Sequence, residues 1–134
     1  MKSRHKLLVA VLVGLLLGAA CNRAVHSQQV KTPPAYVISE VNEITDLTSL
    51  KEEYLAKVNQ TLAPFDGHYH FVVRGGKTES FDGGAPPKGI VVIEFDSSEQ
   101  AHAWYDSPAY AAIRPVRQAA TKGRMFIVEG VAIQ

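Results

Sequence analysis

His68 and His70 stand two residues apart, and Glu40 and Glu94 are lone carboxylates within the apolar stretches YVISEV and IVVIEF. Residues two apart on a strand share one side. The two imidazoles would therefore lie together, and a carboxylate beside them would raise their proton affinity. His70 with Glu94 is the candidate proton-handling pair, the weak catalytic candidates of this chain. A His-x-His strand can also hold zinc, but zinc needs a fixed third ligand. None is assignable here, so histidines hydrogen-bonded to glutamates in a polar seam are the expectation, with no metal.

A second group consists of Arg74, Trp104, Tyr110, Arg114 and Arg117. Tyr110, Arg114 and Arg117 follow one another at offsets of four and three, which places them on one helical face unless Pro115 breaks it. Arginine grips carboxylates bidentately, and aromatic side chains supply apolar walls. These five are the candidate ligand-binding residues. The competing reading makes Trp104 and Tyr110 core and the arginines solvated. Arg74-Gly75-Gly76 reads as a tight turn using positive φ rather than a phosphate cradle. There is no G-x-S-x-G elbow or dinucleotide fingerprint, and no cofactor is expected.

The elements that must position these groups follow from pattern. Tyr36 to Val41 reads as a strand. Asp46 can cap a helix with the stripe Leu47, Leu50, Tyr54, Val58 and Leu62, which Pro64 ends. Gly67 to Val73 and Ile90 to Phe95 read as strands flanking a Gly- and Pro-rich loop. Ser97 with Gln100 forms a capping box for a helix to about Asp106. Ser107-Pro108 starts another segment, expected to kink or split at Pro115 and to stop at Gly123, before a strand from Met125 to Val131.

The order β-α-β-β-α-β is that of an α+β, ferredoxin-like sandwich with sheet order 4-1-3-2. Strands one and three are expected to be parallel, which would put Glu40 beside Glu94. Alternation assigns Val37, Ser39, Val41, Tyr69, Phe71, Val73, Val91, Ile93, Phe95, Phe126 and Val128 to the helix-covered face. Tyr36, Ile38, Glu40, His68, His70, Val72, Arg74, Ile90, Val92, Glu94, Met125, Ile127 and Glu129 fall on the other. Its apolar centre would be an exposed patch in a monomer, so a homodimer with sheets face to face is expected.

Residues 1–27 read as an export leader: Lys2, Arg4 and Lys6 precede the apolar run Leu7 to Ala20, which is too short to span a bilayer. Cleavage after Ser27 or after Ala20 would release an exported, periplasmic protein. Lipidation of Cys21 is the alternative and would anchor the chain in the bacterial envelope, its one route to a membrane. Residues 28–34 form a linker to a domain spanning 35–134. Lys2, Arg4, Lys6 and Arg23 leave with the leader, so 10 of the 14 Lys and Arg remain against 13 Asp and Glu. That acidic balance disfavours nucleic acid as a partner. A single cysteine permits no internal disulfide.

Taken together, Phe65 to Gly76, VVIEF at 91–95, AWYDSPAY at 103–110, Arg117 and VEG at 128–130 resemble a bacterial family of unknown function. It is the one numbered thirteen-thirty among such domains, in the dimeric α+β barrel superfamily. The resemblance implies the ferredoxin-like fold and the homodimer, but transfers no reaction and no catalytic residue. Superfamily relatives include cofactor-free monooxygenases, lactone isomerases and haem-dependent chlorite dismutases, so the fold does not choose a chemistry. In many of them the pocket lies between sheet and helices, which points to Trp104, Tyr110 and Arg117. The expected function is therefore binding of a small anionic or aromatic ligand, with or without cofactor-free catalysis. The alternative is a non-catalytic envelope protein that uses the barrel only to dimerise.

Overall fold

The computed structural model describes residues 31–132; the expected leader, its expected cleavage sites and Cys21 lie outside them. Four strands form one antiparallel sheet: β1 (Ala35–Ile44), β2 (Tyr69–Arg74), β3 (Gly89–Phe95) and β4 (Thr121–Glu129). They lie in the order β2-β3-β1-β4, which is 4-1-3-2 read from the other edge. Three helical elements cover one face. The first, α1, joins a helical turn at Leu47–Ser49, a π-segment at Leu50–Leu55 and an α-helix at Ala56–Leu62. Next come α2 (Ser98–Tyr105) and α3 (Pro108–Ala120).

The helix starts follow from side chains that satisfy free backbone N–H groups. The Asp46 carboxylate accepts from the Ser49 N–H at 3.0 Å, which holds its pKa below the ordinary aspartate value. Ser97 accepts from the Gln100 N–H and Ser107 from the Tyr110 N–H. Pro108 occupies the first turn of α3, where its missing N–H costs nothing.

Several expectations are corrected by the coordinates. Strand β3 runs antiparallel to β1, because the crossover through α1 returns β2 parallel to β1 and the β2–β3 connection then reverses the chain. Glu40 therefore faces Ile90, and Glu94 faces Tyr36. Four residues of strand, about 14 Å, separate carboxylates expected to be neighbours. Helix α3 is not split at Pro115 but continues to Ala120. Pro115 is exposed, whereas Tyr110, Ile113, Arg117 and Ala120 are buried; packing of that stripe outweighs one lost backbone bond. Gly123 stops no helix. It lies within β4 opposite Val41, where a Cβ would clash with the Glu40 carbonyl oxygen.

The faces of β4 are also inverted relative to expectation. Val37 pairs with Ile127, and Ile38 with Phe126. Met125 and Ile127 thus pack against the core, while Phe126 and Val128 are exposed. The run Met125 to Val128 is apolar throughout, so alternation could not fix its phase. In β2 a bulge intervenes: Phe71 pairs with Ile93, but Val73 pairs with Val92 and Arg74 with Val91. One extra residue beyond Phe71 moves Arg74 from the outer face, where it was expected, to the helix side, and puts Val73 outside.

The core lies between sheet and helices. Trp104, Tyr110, Phe95 and Leu62 are its largest fully buried side chains. Trp104 stacks against Phe95 at 5.7 Å between ring centroids and tilts onto Tyr110 at 4.2 Å. Its indole N–H donates to Thr61 Oγ1 at 3.0 Å, so this buried polar atom is satisfied.

Candidate functional site

A cleft of about 390 Å³ opens between the sheet and the helices. Its floor includes Val37, Ser39, Val91, Ile93 and Phe71, and its helical wall includes Leu50, Tyr54, Val58 and Trp104. At one end of the sheet it reaches Gly75, Lys88, Gly89 and Thr121. Two backbone irregularities border it. The π-segment of α1, where the Ala56 N–H reaches back five residues to the Lys51 carbonyl, carries Leu50 and Tyr54. The β2 bulge directs Arg74. Both devices are commonly found where a chain re-aims side chains toward a site.

The polar lining is cationic: Arg74, Lys88 and Arg117, with no aspartate or glutamate among the residues that line the cleft. Arg117 is only 9% exposed. Its Nε has no hydrogen-bond partner, and among the described residues no carboxylate lies within salt-bridge reach of it. A buried guanidinium without a counter-charge is costly. Next to it, the Tyr54 and Tyr110 hydroxyls share a hydrogen bond at 3.2 Å, and Tyr110 also donates to Met125 Sδ at 3.6 Å. Burial, reinforced by Tyr110, pushes the Tyr54 pKa up; the Arg117 charge opposes this more weakly. Tyr54 is thus a neutral hydrogen-bonding group at the wall of a cationic cleft.

Arg74, Trp104 and Arg117 come together at this cleft, whereas two other candidates do not line it. Tyr110 is wholly buried one side chain behind Tyr54. Arg114 lies over the Tyr105 ring at 4.6 Å and donates to the Tyr105 carbonyl. The lining residues Tyr54, Lys88, Ser39 and Thr121 were not singled out from the sequence. Tyr54 was legible only as one member of the apolar stripe.

His70 and Glu94 lie on the opposite side of the sheet. They face each other across β2 and β3, His70 Nε2 being 3.7 Å from the Glu94 carboxylate. Tyr36 flanks Glu94 from β1, and that neighbouring carboxylate raises the phenol's pKa. His68 bonds Asp96 at 2.8 Å instead of joining His70. Among the described residues no three His, Cys, Asp or Glu side chains form a metal-holding group. The sheet itself thus keeps the imidazole–carboxylate pair away from the arginines, and the two groups cannot meet at one ligand in the cleft.

Comparison with known proteins adds the following. The pattern of a family described as "Domain of unknown function (DUF1330)" matches residues 34–131. No curated protein matches the chain. The protein of unknown function RPA0582 from Rhodopseudomonas palustris is similar in structure, with a TM-score of 0.59 at 13% identity over 78% of this chain and 87% of that one. A methylated form of RPA0582 gives 0.58 at 14% identity, over 78% and 85% of the two chains. An EthD-like protein from Ralstonia eutropha gives 0.47 at 17% identity, over 73% and 92%.

Proposed function

Because this chain belongs to the DUF1330 family, whose function is unknown, its activity must be read from its own side chains, and we propose that it binds a small organic anion with an apolar or aromatic body in the cleft. One observation carries this reading: Arg117, buried and without a counter-charge, faces a largely apolar cavity. An incoming carboxylate would satisfy the guanidinium. The lining has no imidazole or carboxylate, the side chains that accept protons near neutral pH. The cleft is therefore equipped to bind and polarise. A cofactor-free reaction of the monooxygenase or isomerase type would need a substrate that ionises without a protein base. Titrating the protein with benzoate and with neutral benzamide tests the proposal. Benzoate should bind and benzamide should not, and Arg117→Met should abolish the difference. Equal binding of the two would end it.

The outer face supports a second element of the reading, a homodimer. Ile38, Val92, Phe126 and Val128 form an apolar patch that the helices leave uncovered, and Phe126 and Val128 remain 39% and 46% exposed. The charges around it are already paired within the chain, Glu40 with Arg124 at 2.6 Å and Glu94 with His70. A satisfied rim around an apolar centre suits docking of a second copy. This favours dimerisation over ligand binding for that face, as a dimeric envelope protein would require. Export to the periplasm, by residues 1–27, completes the proposal. A monomer at micromolar concentration in sedimentation would remove the dimer and leave the cleft untouched.

A further inference from the structure

The cleft's cations are not gathered at one point. Arg117 projects from α3, which packs against α1 and β4, whereas Arg74 belongs to β2 at the opposite edge of the sheet. Their neighbours on α1 are Tyr54 for Arg117 and Asn59 for Arg74, five residues or about 7.5 Å apart along the helix. The rest of the lining is mostly apolar, Phe71, Val91, Ile93, Leu50 and Trp104 among it. The two arginines also differ in exposure. Arg117 is buried, while Arg74 stands exposed at the rim with its guanidinium 4.5 Å from the Phe71 ring centroid.

Arg74 is held in place but not neutralised. Its Nη2 donates to Asn59 Oδ1 at 3.1 Å, an amide without charge. Arginine has five N–H donors, so this fixes the group and leaves most of its donors free. Lys88 adds a second rim cation. Its field helps lower the pKa of Glu43, but that carboxylate is bonded to Lys122 at 2.9 Å. An apolar channel with one buried cation and two rim cations is complementary to a molecule charged at both ends.

We propose that the natural ligand is a two-ended organic dianion, such as a dicarboxylate with a short apolar or aromatic spacer. Arg117 takes the inner anionic group and Arg74, assisted by Lys88, takes the outer one. The inference rests on the cleft being an anion site, and adds a second anchor. A neutral or cationic tail at the rim would leave Arg74 without a partner.

Calorimetric titration of the mature protein with terephthalate and with its monoamide, 4-carbamoylbenzoate, tests this. The two probes share size and ring and differ by one charge. Terephthalate should bind about ten- to a hundredfold more tightly, the range of one charge-assisted hydrogen-bonded contact. Arg74→Gln should erase that preference, while Lys88→Gln should reduce it less. Arg117→Met should weaken both probes, with thermal unfolding confirming that each variant is folded. Equal affinities for the two probes, both still lost in Arg117→Met, would overturn the two-ended ligand and leave the anion site standing. Failure of both probes to bind at millimolar concentration would sink the site and the dianion together.

Discussion

The two faces of the sheet treat charge in opposite ways. On the outer face each noted ionic group is met by another: Glu40 by Arg124, Glu43 by Lys122, Glu94 by His70 and Tyr36. Under the helices Arg117 is buried with no counter-charge among the described residues, and Arg74 is met there only by an amide. Exposed pairs of the first kind contribute little to stability, and they leave no group wanting a partner. A buried cation of the second kind costs stability and persists only where something else gains. The number of charged residues would not separate the faces; the state of their pairing does.

The contrast can be broken in several ways. The largest effect is expected on the helix side from Trp104→Ala, which empties the fully buried aromatic centre and leaves Thr61 without its donor. Urea unfolding should show a loss of about 3–5 kcal/mol, whereas His70→Ala on the outer face should stay within about 0.5 kcal/mol. Next, Arg117→Met should raise the stability of the ligand-free protein by about 1–3 kcal/mol, since it removes a desolvated charge. A drop in melting temperature would mean that the guanidinium has a structural partner after all. Third, Val92→Lys should turn a sedimenting dimer into a monomer while benzoate binding persists, so that each face fails alone.

The smallest effect concerns acid. Glu43, bonded to Lys122, and Asp46, capping α1, both have folded-state pKa values below their ordinary values of 4.5 and 3.8. A depressed carboxylate stabilises the fold fully above its unfolded pKa and loses that contribution as pH falls through the folded one. Thermal unfolding should therefore weaken below about pH 4.5, and Glu43→Gln with Asp46→Asn should flatten that slope. An unchanged slope would show that neither carboxylate carries it.

Much of the architecture was legible because it rests on local chemistry. Asp46, Ser97 and Ser107 announce helix starts, and the stripe Leu50, Tyr54, Val58 and Leu62 announces the buried side of α1. What escaped depends on pairing between distant segments. The phase of β4 could not be read from a run that is apolar at every position, and the direction of β3 relative to β1 depends on the crossover between them. The side on which Arg74 projects depends on a bulge that valines do not advertise. The cleft was legible to the same degree: Trp104 and Arg117 were named on the helix side, away from His70 and Glu94, but Arg74 was expected on the same face as that pair.

That bulge serves both sides of the molecule. It adds Val72 to Val73 opposite the single Val92, enlarging the outer apolar patch, and by the same step carries Arg74 inward. Excising Val72 would regularise the ladder and still leave Arg74 opposite Val91. A one-residue deletion should thus thin the surface proposed for a twin subunit while sparing the proposed ligand capture, so that the two are open to change independently in descendants of this chain.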